Sequence, residues 1–208
     1  DNETGTAMHR VKFEPLQCRP RSAGYTNQSQ ELFYKGHIQE AYYLGNIAST
    51  LDPENFLAEQ VLGTIAKAAH DFPLAIKHFE NVKKINPNFY SGRKILAICY
   101  FLNNQYERSL EELEAFDISD RLDIEKFDWH VSWGKAKMML GNHDEAINHF
   151  TQAESFSSPG ETMTGPLWAL YLWWLQSSFM MGDFAGMIPQ LQKIVTKEPQ
   201  DLSSWNNL

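Results

Sequence analysis

By type, the side chains of this 208-residue chain best suited to hold a metal or move a proton are seven histidines: His9, His37, His70, His78, His130, His143 and His149. His143, Asp144 and His149 make the tightest local group. Metal ligands on one helix sit three or four residues apart, and the step of six from His143 to His149 turns them to different faces. His37, His70 and His143 fall in or near expected turns between helices, where surface placement accounts for them without a metal. Glu111, Glu112 and Glu114, followed by Asp117 and Asp120, are the residue types of paired-carboxylate chemistry. A solvated helix face and its end is the better reading, because catalysis needs groups converging in a dry cleft. There is no HExxH, no GxSxG and no phosphate-binding glycine loop. Cys18 and Cys99 are too few for a disulfide framework and lack metal-ligand spacing; buried free thiols or a single bridge both fit. The expectation is a non-enzymatic chain without metal or cofactor.

Composition narrows the partners. The chain is 43% hydrophobic and 21% charged, as expected of a protein that buries a core. Its net charge of -8 and pI near 5.3 oppose direct nucleic-acid binding, which wants a basic stripe against phosphates. The apolar stretch from Pro166 to Met181 is interrupted by Gln176, Ser177 and Ser178, and is bounded by proline and by Gly182-Asp183. It reads as a buried helix, with no membrane span expected. No export signal is visible, which leans towards the cytoplasm and leaves the compartment otherwise open.

The elements that position these residues repeat. Pro53 in LDPENF and Pro87 in INPNFY are 34 residues apart, each closing one amphipathic segment before the next. Counting back from them, Ala48 and Val82 stand five residues before, Ala41 and Ala75 twelve, Gly36 and His70 seventeen, and Ser29 and Gly63 twenty-four. Pro199 sets the same frame for Ile194, Phe184 and Gly182. Small residues thus recur where two helices cross closely. Residues 56–89 carry Leu62-Gly63, Ala75, Phe79 and Pro87. Residues 90–123 carry Leu96-Ala97, Tyr100 and Tyr106, but Ser109 for the alanine and Arg121 for the proline. Residues 127–160 carry Gly134, Gly141, Ala146, Phe150 and Ala153, with Pro159 one place late.

These residues resemble the tetratricopeptide repeat family. The resemblance implies an all-α, right-handed superhelical solenoid of antiparallel helix pairs. The copies run at about 22–55, 56–89, 90–123, 127–160 and 168–201, a further copy starts at 202–208, and 1–21 form an arm or linker. Ser155–Gly165 reads as a loop insertion. Leu202–Trp205 looks like the opening of another repeat, so the chain is expected to continue or to be covered there.

The resemblance also implies a protein or peptide partner, bound along the first helix of each copy. Carried over place by place, the groove positions are Phe33, Tyr34, Gln60, Thr64 and Lys67; Lys94, Ile98 and Phe101; Lys135, Met138 and Met139; and Leu172, Gln176, Phe179 and Met180. Lys67, Lys94 and Lys135 would suit an acidic peptide. The family's clamp for the terminal carboxylate of heat-shock chaperones would need cations and amides where this chain has Thr26, Gln30, Val61, Ser91 and Ile95, so that ligand is disfavoured. Five of the six tryptophans (Trp129, Trp133, Trp168, Trp173 and Trp174) lie in the last two full copies. Tyr171, Trp174 and Ser178 share a core face, and the surplus apolar face of 167–181 could serve a partner or a homo-oligomer. The alternative reading is a sensory or regulatory module of a larger protein such as a transcription regulator.

Overall fold

The computed structural model describes residues 18–115, 117–157 and 165–197, and the regular structure found there is helical. Two compact units part between Pro87 and Asn88. The first unit holds α1 (Cys18–Tyr34), α2 (Ile38–Leu51), α3 (Phe56–Ala68) and α4 (Phe72–Ile85). The second holds α5 (Tyr90–Leu102), α6 (Tyr106–Glu114), α7 (Asp123–Met139), α8 (His143–Ser155), α9 (Gly165–Met181) and α10 (Phe184–Lys197). Residues 1–17, Pro159, Pro199 and the 202–208 segment lie outside the described residues, and His9 with them.

One turn recurs five times. Gly36, His70, Asn104, Gly141 and Gly182 each take a positive φ, between 58 and 85°, just after the first helix of a pair. The next residue's N–H then donates back across the last turn at 2.9 Å: His37 to Leu32, Asp71 to Ala66, Gln105 to Tyr100, Asn142 to Lys137 and Asp183 to Ser178. This left-handed closure satisfies carbonyls that a helix end leaves open and reverses the chain into the second helix. Glycine adopts it without strain; histidine and asparagine adopt it at some cost.

The close crossings follow from small residues. A Cβ on Gly63 would come within 2.7 Å of the Phe79 ring, and one on Gly134 would run into Phe150. Each pair therefore locks a first helix onto its second, with Ala75 or Ala146 fully buried alongside. Where the motif has serine instead, the hydroxyl is used. Ser29 Oγ donates to the Ala41 carbonyl at 2.6 Å, and Ser109 Oγ to that of Ala97 at 2.8 Å. Both bonds join the two helices of one pair, so the polar atom is buried without penalty.

Among the described residues of unit 2, two apolar centres stand out. Tyr90 stacks on Trp129 at 5.2 Å beside Leu113 and Ala97, and Trp129 Nε1 donates to the Leu113 carbonyl. The larger centre gathers Phe127, Met138, Phe150, Leu170, Tyr171 and Trp174. The acidic run of α6 is not uniformly solvated, as its sequence suggested. Glu112 is buried and accepts two hydrogen bonds from the Arg93 guanidinium, at 3.0 and 3.2 Å. α6 is amphipathic, and Glu112 falls on its inner face, where only a paired charge is tolerated. Cys99 is a buried thiol outside any disulfide among the described residues.

Candidate functional site

In unit 1 the first helices α1 and α3 border one open cavity of about 180 Å³. Phe33, Tyr34, Gln60 and Thr64 line it, four of the five groove positions expected in this unit. Lys67 is half-buried one turn beyond Thr64 on α3. The sequence reading did not place Asn27 or Leu57 there, although the helical step from Asn27 to Gln30 and Tyr34 could have found the former. Thr26, Gln30 and Val61 occupy clamp places and also line the cavity. The wall thus offers amides, hydroxyls and aromatic rings, with no charged side chain among its lining residues. Asn55 holds the two helices in register. Its side-chain oxygen caps α3 by accepting from Leu57 and Ala58, while its amide donates to Ser22 and Thr26 on α1.

Unit 1 also carries a buried polar cluster away from that lining. Glu59 accepts from Ser49 at 2.5 Å and Asn81 at 2.9 Å, and lies 3.0 Å from His78. Burial works to raise its pKa, but hydrogen bonds from His78, Ser49 and Asn81 outweigh it and hold the carboxyl down at about 2. These bonds link α2, α3 and α4, a structural role.

In unit 2 the expected positions separate. Ile98, Phe101 and Lys135 border a recess of about 50 Å³ with Ala97, Leu102, Ser109 and Ser132. Lys135 is half-buried, with its ammonium between the Phe101 and Trp173 rings, and burial pushes its pKa down. Lys94 differs: Asp128 takes its charge at 2.6 Å, so it is not a free cation for an acidic ligand. Met138 is packed into the core and is 5% exposed, a correction to its assignment to the open face. It follows Lys137 on the inward side of α7, whereas Met139 points outward and is exposed. On α9, Leu172, Gln176, Phe179 and Met180 form one exposed stripe, opposite the buried Tyr171, Trp174 and Ser178. Among the described residues no helix is long and apolar enough to cross a membrane.

The histidine grouping differs from the local cluster seen in the sequence. His149 meets His130 of the preceding helix, Nδ1 to Nδ1 at 3.2 Å, and stacks on Trp133 at 4.3 Å. No set of three metal-binding side chains occurs among the described residues.

No model of a known protein family matches the chain. The mouse protein called BBSome complex member BBS4 is 25% identical over 175 residues, which cover 80% of this chain and 32% of that protein. The chain thus spans about a third of that relative's length. The solved structure of MamA residues 41 to the end, from Desulfovibrio magneticus RS-1, superposes with a TM-score of 0.74 at 18% identity, covering 86% of this chain and 97% of that one. YrrB, described as a TPR protein with an unusual peptide-binding site, gives 0.72 at 15% identity, covering 88% and 89%. The fold is the all-α, helix-pair solenoid of tetratricopeptide repeat proteins.

Proposed function

We propose that this tetratricopeptide-repeat chain is a non-enzymatic protein-interaction scaffold that binds an extended or helical segment of a partner against its first helices. The observation carrying the proposal is the unit 1 cavity between α1 and α3, lined by Phe33, Tyr34, Gln60 and Thr64. Its ring faces suit apolar side chains, and its amides suit the backbone of a bound segment. Its lining lacks cations, so an uncharged stretch of ligand fits it best. YrrB, with the same fold, is a peptide binder by its description, which supports the reading. The sensory-module alternative gains no support from the comparisons. The acidic charge of the chain continues to argue against direct nucleic-acid binding.

The test is selection of peptides from a displayed library on residues 1–208, followed by titration of the best peptide against Phe33→Ala and Gln60→Ala. Each variant should weaken binding roughly tenfold, the usual effect of truncating an anchor, with unchanged helical circular dichroism. Unchanged affinity in both variants would remove the cavity from the proposal. Self-association through the exposed α9 stripe is part of the same proposal; a monomeric mass by light scattering, unchanged in Phe179→Asp, would remove it.

A further inference from the structure

Phe101, Lys135 and Trp173 come from α5, α7 and α9, three successive first helices of unit 2. Lys135 Nζ lies 4.9 Å from the Phe101 ring centroid and 5.1 Å from that of Trp173. A ring face attracts a cation through its quadrupole, but it does not supply the strong acceptor that an ammonium N–H seeks. Neighbouring lysines are served differently. Lys94 holds Asp128 at 2.6 Å, Lys137 holds Glu145 at 2.8 Å and Lys193 holds Glu154 at 2.6 Å. Lys135 has neither a carboxylate nor a hydrogen-bond acceptor among the described residues.

The chain has 26 acidic side chains against 18 basic ones, so carboxylates are in surplus. A half-buried lysine left without one has lost part of its hydration and received only ring faces in return. Burial pushes its pKa down, the sign of that uncompensated desolvation. An incoming carboxylate would restore a charge-assisted hydrogen bond where water is partly excluded, and there it counts for more than on an open surface. The recess beside Lys135 is walled by Ile98, Phe101 and Leu102 and measures about 50 Å³, room for a short aliphatic group. One ammonium between two negative ring faces suits a single negative charge better than a phosphate dianion.

We propose that Lys135, clasped by Phe101 and Trp173, receives a carboxylate of a bound peptide, with the adjoining recess taking a short aliphatic group beside that carboxylate. This rests on the scaffold reading and names the ligand chemistry of unit 2. The carboxylate belongs either to an acidic side chain or to a chain end.

Three probes separate these sources: acetyl-Leu-Glu-Val-amide, acetyl-Leu-Gln-Val-amide, and acetyl-Leu-Gln-Val with a free terminal carboxylate. Each is titrated into residues 1–208 carrying carbon-13 at the lysine ε positions. The Lys135 resonance should move on titration with one or both carboxylate peptides, with a dissociation constant roughly tenfold or more below that of the Gln amide. Lys135→Met should bind all three equally, Lys135→Arg should keep the preference, and added salt should shrink it. Should Lys135→Met fail to fold, the two carboxylate peptides compared with the Gln amide on the unaltered chain decide the matter. Equal affinity for acid and amide, or a preference surviving in Lys135→Met, overturns the proposal and leaves the scaffold reading standing. Probes that shift no resonance while a library-selected peptide binds overturn it likewise. If the selected peptide fails as well, both readings fall.

Discussion

His149 Nδ1 lies 3.2 Å from His130 Nδ1, close enough that only one of the two nitrogens can carry a proton. Both rings stack in a column with Trp133 and Phe156. Burial, then the charges of His130 and Lys137, hold the His149 pKa down at about 4, and burial lowers that of His130. An unfolded histidine takes up its proton near about 6.5. Between those values the unfolded chain binds more protons than the folded one, so stability falls as pH drops through that window. The urea midpoint should therefore decline from pH of about 6.5 towards about 4. His149→Phe keeps a stacking ring and removes the proton, so it should flatten the slope; an equal slope in the variant would count against the pair.

Glu59 responds in a lower window. Its folded pKa of about 2 lies below the ordinary carboxylate value, so its contribution is present above about 4.5 and is lost as pH falls towards about 2. Glu59→Gln should cost stability at neutral pH and reduce acid sensitivity in that range, read by urea denaturation. A variant as stable as the parent at neutral pH would show that the bonds from Ser49, His78 and Asn81 contribute nothing net.

Two glycines of α7 and the turn after it should fail for different reasons. Gly134→Ala drives a methyl group into Phe150, an overpacking cost of about 1–3 kcal/mol. Gly141→Ala meets open space but holds φ at 80°, which should cost about 1–2 kcal/mol through backbone strain alone. Trimming the ring with Phe150→Leu should partly rescue the first variant and leave the second unaffected. Rescue of both, or of neither, would contradict this division.

The helix pairs were legible because their determinants are local and periodic. Gly63 with Phe79, and Gly134 with Phe150, recur at the spacing at which a small residue must face a large one. Gly36, His70 and Gly182 were visible at the turn place. Asn104 stands at the same place, seventeen residues before Arg121, but the closing proline that points to the turn in the first two copies is replaced there. What sequence spacing could not carry was pairing across helices. His149 was read with His143, one turn and a half away on its own helix, whereas its neighbour is nineteen residues back on α7. Glu112 was grouped with adjacent acids, yet one step along a helix separates the inner face from the outer. Lys94 and Lys135 are both lysines at groove places of their first helices, though at different steps along them. Asp128 distinguishes them, and it is 34 residues from Lys94.

The central claim is that ligands dock against the first helices. Tyr34 on α1 and Tyr43 on α2 are both exposed aromatics of unit 1, at 76% and 66%, and Tyr34 lines the cavity. Replacing each in turn with the photo-crosslinker benzoylphenylalanine, and irradiating with a library-selected peptide, reports directly which face is occupied. A scaffold that binds through its first helices gives a covalent peptide adduct from position 34 and none from position 43. An adduct from position 43 alone would contradict the account.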